Sequence, residues 1–196
     1  EFSGKKVTVV GTGISGIGAV GLLNAVGAEV VLYDGNEKLK IEDIEKKLGT
    51  YKAEIVLGEL TKELTDSSDL LVISPGVPID SPVVKAFEAA GVPVWGEVEL
   101  AYAFDKGKVL AITGTNGKTT TTALVGQIVG AYHKDTFVVG NIGNPYTTEV
   151  LKSNKDSYTV AEISSFQLET VHEFHPLVSA ILNITPDHLN RHHTME

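Results

Sequence analysis

The chain has 196 residues, a formal net charge of −9 and no cysteine, and hydrophobic residues make up 42% of it. The lack of cysteine excludes disulfides, thiolate metal sites and cysteine nucleophiles. The acidic balance argues against nucleic acid as a partner, because binding to its phosphate backbone needs clustered lysine and arginine. No apolar run approaches the roughly 18 residues of a membrane span, so we expect no membrane partner.

Short β-branched segments alternate with amphipathic stretches along almost the whole chain. Several of these segments are continuously apolar, which is typical of strands buried on both faces of a parallel sheet. The alternation of strand and helix therefore predicts an α/β fold with right-handed crossovers. Strands are predicted at residues 6–10, 29–34, 54–57, 70–74, 92–95, 109–113, 136–139, 158–163 and 178–183.

Two segments share the same order of strand, glycine-rich turn and helix, at residues 7–21 and 109–129. We interpret them as the first units of two domains. A Rossmann-like parallel-sheet domain is predicted over residues 1–93, and a P-loop-type parallel-sheet domain over residues 94–196. The chain ends just as a further helix begins after residues 186–188. Natural domains rarely end there, so the second domain is expected to be truncated.

The first glycine turn runs from Gly11 to Gly16 and follows a predicted strand. Its glycines permit a tight turn, and the next helix offers free N–H groups and a positive dipole end to a phosphate. Asp34 ends the next strand 18 residues after Gly16, near the spacing of about 20 at which an acidic residue binds a ribose. The ordinary interpretation is an NAD site, and the alternative is a tight turn without a ligand.

The second glycine turn contains the string Gly-Lys-Thr at the start of a predicted helix. Backbone amides of such a turn surround phosphate oxygens, the lysine neutralises β/γ-phosphate charge, and the threonine hydroxyl binds Mg²⁺. Ile112 stands where the standard spacing has glycine, so this loop is a shorter variant. The residues of the predicted phosphate loop are Gly114, Thr115, Asn116, Gly117, Lys118, Thr119 and Thr120.

Three further polar residues lie close to the carboxyl ends of predicted strands. They are Asn141, Glu162 and His188, and ligands of parallel sheets bind beyond such strand ends. Taken singly, Glu162 is more often a capping or surface carboxylate, and His188 an exposed turn histidine. Together with the phosphate loop, the three residues favour a shared phosphate and metal site.

The order and spacing of these motifs resemble the Mur ligase family over nearly the whole chain, and within it the members that add D-glutamate. The resemblance rests on the two glycine turns and on further strings at residues 74–78, 96–100, 140–143, 162–168 and 182–191. It implies three domains, which bind a UDP-linked sugar peptide, ATP and an amino acid. The third domain, and the lysine that the family carbamylates, are expected beyond the end of this chain. Asn190 departs from the pattern, because the family usually has aspartate there.

The resemblance implies an ATP-dependent ligase that joins D-glutamate to UDP-N-acetylmuramoyl-L-alanine. ATP would phosphorylate the carboxylate of the UDP-linked substrate, and the amine of D-glutamate would attack the acyl phosphate to form an amide. The implied cofactors are ATP and Mg²⁺, and the implied setting is a cytoplasmic monomer in peptidoglycan precursor synthesis. As a fragment, this chain is expected to be inactive alone.

The resemblance also assigns roles to residues of both predicted domains. Lys118, Glu162 and His188 would be catalytic, and residues 114–120 would bind ATP. Thr119 would hold metal ions together with Glu162 and His188. Asp34 would contact the uracil of the UDP-linked substrate. The residues implied in binding this substrate are Ile14, Ser15, Gly16, Asp34, Ser74, Pro75, Gly76, Asn141 and Ser164.

Two other functions stay open at this point. An NAD-dependent oxidoreductase would explain the first glycine turn and Asp34, but it leaves the second glycine turn unexplained. A non-catalytic nucleotide-binding module would explain both turns and would fit a truncated chain. Equilibrium binding of the UDP-linked substrate, NAD and ATP would distinguish the three functions.

Overall fold

The computed structural model describes residues 2–195, which form two separate parallel sheets with connecting helices. The predicted α/β class is therefore confirmed. Within this range, none of the helices is long and apolar enough to cross a membrane.

The first sheet consists of five parallel strands. They are β1 (Lys6–Val10), β2 (Glu29–Asp34), β3 (Glu54–Leu57), β4 (Leu70–Ile73) and β5 (Val94–Gly96). The connecting helices are α1 (Ile14–Ala25), α2 (Ile41–Leu48), α3 (Lys62–Ser67) and α4 (Pro82–Ala89). The spatial order is β3-β2-β1-β4-β5. Because the order reverses between β1 and β4, a crevice is expected at their carboxyl ends, where the first glycine turn follows β1.

The strands of the first sheet are buried on both faces, as their apolar runs predicted. Successive side chains of a strand point to opposite faces, so Val9 and Val72 join one apolar cluster with Leu22 of α1. Val10 and Leu71 join a second cluster with Phe87 of α4 on the other face. This double burial holds the carboxyl ends of the strands in place and thereby positions the glycine turn.

The second sheet consists of four parallel strands, all of which follow α5 (Glu97–Tyr102) in the sequence. Its strands are β6 (Lys108–Thr113), β7 (Thr136–Gly140), β8 (Tyr158–Glu162) and β9 (Val178–Ile181), in the order β7-β8-β6-β9. Its helices are α6 (Lys118–Tyr132), α7 (Tyr146–Glu149), α8 (Ser165–Leu168) and α9 (Leu189–His192), and a 3-10 turn spans Val150–Lys152. The second glycine turn connects β6 to α6, so it too lies at the carboxyl edge of its sheet.

All nine predicted strands are present, and one of them bears on the predicted domain boundary. The fifth strand occupies Val94–Gly96 rather than residues 92–95, and it pairs with β4. Pro93 has no N–H to donate to a ladder, although its carbonyl accepts from the Leu71 N–H at 2.9 Å. The first sheet therefore extends past residue 93 to Gly96, and the division at residue 93 stays a prediction.

The two units contact each other through helices. Helix α1 packs against α5 and α7. Gly18 permits this approach, because a Cβ at that position would lie 2.7 Å from Thr147 Oγ1. The first glycine turn and the second unit are thus held in one arrangement.

Candidate functional site

The first glycine turn is built around two glycines that have no room for a side chain. Gly11 has a φ of +104°, a conformation that L-residues rarely adopt. A Cβ on Gly16 would lie 1.9 Å from the Gly11 carbonyl oxygen. Ile14 is 77% exposed at the start of α1. The turn therefore presents the backbone N–H groups of the helix N-terminus to an incoming ligand.

Asp34 lies at the end of β2, beside the first glycine turn. Its Oδ2 accepts a hydrogen bond from Thr12 Oγ1 at 3.1 Å, and its Oδ1 accepts from the Asn36 N–H at 3.1 Å. The carboxylate is half-buried. The structure thus brings Asp34 and the glycine turn together, as the sequence predicted for a nucleotide site.

Ser74 packs directly against the first glycine turn. Its N–H donates to the Val10 carbonyl at 3.1 Å, and a Cβ on Gly11 would lie 2.8 Å from its Oγ. That Oγ is buried and has no hydrogen-bond partner among the described residues. Pro75 and Gly76 follow in a loop that the Val77 N–H closes onto the Ser74 carbonyl at 2.9 Å. The predicted sugar-binding residues therefore begin directly beside the first glycine turn.

The phosphate loop is held in shape by the end of β9. The Asn183 side chain donates to the Asn116 carbonyl and accepts from the Asn116 N–H, both at 2.9 Å. The Thr115 N–H donates to the Asn183 carbonyl at 3.0 Å. Lys118 Nζ donates to the carbonyls of Gly114 at 2.7 Å and Thr115 at 3.1 Å. These contacts place the lysine charge at the centre of the loop.

The helix that follows the phosphate loop begins after Gly117, which has a φ of +84°. The first N–H groups of α6 lack intrahelical partners and carry the positive end of the helix dipole. Thr119 and Thr120 are exposed in this first turn. The loop therefore has the donors and the charge that a triphosphate requires.

Glu162 is buried at the carboxyl end of β8, next to the start of the phosphate loop. Its side chain is 1% exposed, and the following Ile163 N–H donates to the Ile112 carbonyl of β6 at 2.9 Å. Oε1 accepts from Asn141 Nδ2 at 2.9 Å, whereas Oε2 has no partner within residues 2–195. A buried carboxylate oxygen without a partner is unusual and fits a cation ligand.

The residues present fit Mg²⁺ rather than a metal held by protein ligands alone. No group of three or more histidine, aspartate or glutamate side chains suited to a metal occurs in the described part of the chain. Magnesium typically takes one or two carboxylates and completes its shell with water and substrate phosphates. Glu162, with Oε2 unpaired beside the phosphate loop, suits that mode of binding.

His188 lies in a cleft of about 310 Å³ that Gly114 and Thr115 of the phosphate loop also line. Its side chain is 55% exposed, and its ring packs on Phe166 with 5.0 Å between centroids. Of the three predicted catalytic residues, all within the described range, only His188 lines this cleft. Lys118 and Glu162 share the same sheet edge but not the cleft itself.

Two predicted substrate contacts use their hydroxyls elsewhere. Ser164 forms a capping box with Gln167 at the start of α8: Ser164 Oγ accepts from the Gln167 N–H at 3.3 Å. Burial raises the pKa of Glu97, and a hydrogen bond from the Ser15 side chain to the Glu97 carboxylate offsets part of that rise. The hydroxyls of both residues therefore already have partners within the chain.

The sequence analysis assigned no role to three polar residues that organise the site, although they lie in the strings 96–100 and 182–191 that carry the family resemblance. Glu97 is 3% exposed; burial raises its pKa, against hydrogen bonds from Ser15 and from the backbone N–H groups of Tyr146 and Thr147. Asn183 supports the phosphate loop, and Arg191 contacts the loop after β4. Two features of the sequence could have pointed to these residues. Glu97 is an ionisable residue inside an apolar string, and Arg191 is the single arginine of the whole sequence.

Two family models match the chain in sequence order. The model described as "Mur ligase MurD-like, N-terminal domain" matches residues 5–96. The model described as "Mur ligase middle domain" matches residues 112–196. The first matched segment contains the whole first sheet, and the second contains β7, β8 and β9 and begins at the last two residues of β6.

Curated relatives match over the full chain. The UDP-N-acetylmuramoylalanine–D-glutamate ligase of Lachnospira eligens is 73% identical over 196 residues, which are 100% of this chain and 44% of the relative. The protein of the same name from Lachnoclostridium phytofermentans is 61% identical over 197 residues, which are 100% of this chain and 43% of the relative. The chain therefore spans less than half the length of these relatives.

A solved structure supports the fold. The crystal structure of UDP-N-acetylmuramate:L-alanyl-gamma-D-glutamyl-meso-diaminopimelate ligase from Neisseria meningitides superposes with a TM-score of 0.58 at 18% identity. The match covers 96% of this chain and 63% of that one. Both sheets thus recur in a protein of low identity. With two family models that together cover most of the sequence, the chain belongs to the Mur ligase family.

Proposed function

We propose that this chain provides the UDP-substrate and ATP sites of a ligase that joins D-glutamate to UDP-N-acetylmuramoyl-L-alanine. The observation that carries the proposal is the presence of two glycine turns at the carboxyl edges of two sheets, because an oxidoreductase needs only the first. The names of the relatives support the choice of substrates. We further propose a monomeric cytoplasmic protein.

In the proposed reaction, the γ-phosphoryl group of ATP passes to the carboxylate of the UDP-linked substrate. The amine of D-glutamate then attacks the acyl carbon, phosphate leaves, and an amide bond forms. Lys118, fixed at the centre of the phosphate loop, would stabilise the charge that moves during the transfer. The N–H groups of the loop and of the first turn of α6 would hold the phosphates.

Thr119, Glu162 and His188 are the residues that we propose for Mg²⁺. A bound Mg²⁺ neutralises phosphate charge in such a site. Glu162 is the strongest candidate, because its Oε2 is buried and lacks a partner in the described range. Asn141 orients that carboxylate through its hydrogen bond to Oε1.

At the first sheet, we propose that Asp34 recognises uracil and that the backbone at Ile14, Ser15 and Gly16 contacts the diphosphate. The hydrogen bond from Thr12 fixes the orientation of the Asp34 carboxylate. Residues 74–76 would border the sugar. Ser164, whose hydroxyl caps α8, is left with a supporting role in this arrangement.

The ATP assignment is tested with Lys118→Ala in a full-length ligase that contains this chain. Phosphate release should fall by at least about 100-fold, because a main stabiliser of transition-state charge is lost. Calorimetry should show UDP-substrate binding unchanged. Lys134→Ala, at an exposed lysine beyond the other end of α6, is the matched control. Near-normal turnover in the Lys118 variant would contradict the assignment.

The uracil assignment is tested on this chain itself. Asp34→Ala should weaken binding of the UDP-linked substrate by about 1–3 kcal/mol, the loss of a charge-assisted hydrogen bond. Asp156→Ala, an exposed aspartate of the second unit, should leave the affinity unchanged. Tight NAD binding by the unmutated chain would favour the oxidoreductase instead. Amide formation by this chain alone would contradict the expectation that it is inactive without further residues.

A further inference from the structure

We propose that Arg191 is a positioning residue that connects the turn carrying His188 to the loop after β4, and so aligns the two predicted binding sites. This inference rests on the proposed function for its catalytic meaning. Its structural basis is a set of contacts from one guanidinium group to both units of the chain.

The guanidinium of Arg191 uses three nitrogens to contact three residues. Nη1 donates to the Pro75 carbonyl at 2.9 Å, and Nη2 donates to the Val77 carbonyl at 3.2 Å. Nε donates to Glu169 Oε1 at 3.3 Å, and Nη2 also pairs with Glu169 Oε2. The group stacks over Phe166, 4.2 Å from the ring centroid. Arg191 and Glu169 are only 13% and 16% exposed, so the contacts are largely shielded from water.

The turn that carries His188 depends on contacts of this kind to hold it in place. Helix α9 has four residues, each exposed or half-buried, so apolar packing does little to hold it. His188 and His193 flank it with φ values of 49° and 64°, and no other non-glycine residue in the described chain has a positive φ. The backbone thus changes direction at both ends of one turn. The orientation of this turn therefore depends on side chains, and Arg191 makes the largest set of side-chain contacts from it.

Phe166 joins Arg191 to His188. Its ring lies 5.0 Å from the His188 ring and carries the Arg191 guanidinium on its face. A displacement of Arg191 would therefore move the surface on which His188 packs. At the other end, the Pro75 and Val77 carbonyls belong to the loop whose first residue, Ser74, packs against the first glycine turn. One side chain thus spans from the His188 turn to the predicted sugar loop.

Lysine would not replace this arginine. The planar guanidinium donates in several fixed directions at once, whereas an ammonium is a single compact charge. Arg191 is also the only arginine in the 196 residues, among 16 basic side chains. The contact geometry accounts for that choice at this position.

Hydrogen exchange on this chain tests the connection without any assay of activity. In Arg191→Ala and Arg191→Lys, amide exchange should accelerate by about tenfold in residues 74–78 and in residues 188–193, because local opening is no longer opposed. Residues 6–10 of β1 should keep their protection, which shows that the fold is intact. Lys152→Ala, which removes an exposed ion pair with Glu149, is the matched control. Unchanged exchange in either segment would overturn the inference.

Kinetics in a full-length ligase that contains this chain test the positioning role. Arg191→Ala should lower kcat by about 10- to 100-fold, because misalignment of bound reactants forfeits much of the benefit of proximity. The KM for ATP should change by no more than about twofold, since the phosphate loop is untouched. Glu169→Gln, which keeps the shape of the partner, should lower kcat in the same direction.

The outcomes separate the two proposals. A normal kcat in Arg191→Ala, with or without faster exchange, would show that the contact is only structural and would overturn the positioning role. Ligase inactivity of the unmutated full-length protein would instead refute the proposed function, while the exchange experiment would still decide whether Arg191 connects the two segments.

Discussion

Gly16 of the first glycine turn and Gly76 of the loop after β4 differ in what surrounds them. At Gly16 a Cβ would lie 1.9 Å from a backbone carbonyl oxygen of Gly11, which has no flexible end to move aside. At Gly76, in the loop after β4, a Cβ would meet no atom within 4 Å, and φ is not positive. Steric exclusion therefore requires glycine at one position and permits other residues at the second.

We predict that Gly16→Ala destabilises this chain by about 1–3 kcal/mol, as overpacking does, even though alanine favours a helix. Gly76→Ala should change the free energy of unfolding by less than about 1 kcal/mol, because its site has space. Urea denaturation of both variants would measure the difference. Equal stabilities would mean that the turn relaxes more easily than its geometry indicates.

Helix α5 shows how one short element carries two buried carboxylates. Five of its residues, from Glu97 to Ala101, are buried. Glu99 accepts hydrogen bonds from the N–H groups of His172, Glu173 and Phe174, at 2.8, 2.8 and 3.2 Å. These bonds fix the segment between α8 and β9 against the helix, and so set where β9 enters the second sheet.

We predict that Glu99→Ala lowers the free energy of unfolding by about 2–5 kcal/mol, because three N–H groups lose their acceptor in a buried place. Glu88→Ala, at an exposed position of α4, should have an effect within about 0.5 kcal/mol. Thermal and urea unfolding would measure both variants. A small effect at Glu99 would show that water replaces the carboxylate.

Across the whole molecule, buried polar contacts join the two units beside the glycine turn. Glu97 accepts from the first unit through Ser15, and from the second through the N–H groups of Tyr146 and Thr147. Asp105 Oδ2, in the connection between the sheets, accepts from Tyr146 Oη at 2.6 Å and Thr159 Oγ1 at 2.8 Å. The arrangement of the two units therefore depends in part on the buried carboxyl group of Glu97, and through that group pH should affect it.

The pH dependence has a definite sign at Glu97. Burial raises its pKa above the ordinary 4.5, so the folded state favours the neutral acid. The stabilisation from neutral Glu97 is complete below the pKa that this group has in the unfolded chain. It is lost as the pH rises through the higher pKa that the group has in the folded chain. We predict that the stability of Glu97→Gln relative to the unmutated chain increases as the pH rises from the ordinary glutamate pKa of 4.5 into the alkaline range. Urea unfolding across that range would measure it, and a constant difference would contradict the raised pKa.

Local patterns in the sequence determined the elements of this protein. Continuously apolar runs and glycine spacing act over a few residues, so nine strands and two glycine turns could be predicted before any long-range contact was known. The same locality placed Asp34, Lys118, Glu162 and His188 at strand or helix ends. The fifth strand begins at Val94 rather than at residue 92, because Pro93 cannot donate to its ladder.

The tertiary structure alone decided which partner each polar side chain takes. Ser15 forms a hydrogen bond with Glu97, which is 82 residues further along the chain. Arg191 donates to the carbonyl of Pro75, which is 116 residues away. Sequence periodicity carries no information on such pairs, because they form only when two separately folded sheets pack together. Burial then makes an unpaired polar atom costly, which favours hydrogen-bonded pairs at the interface. Local motifs therefore determined which residues form the candidate site, and contacts between the two units determined how those residues are aligned.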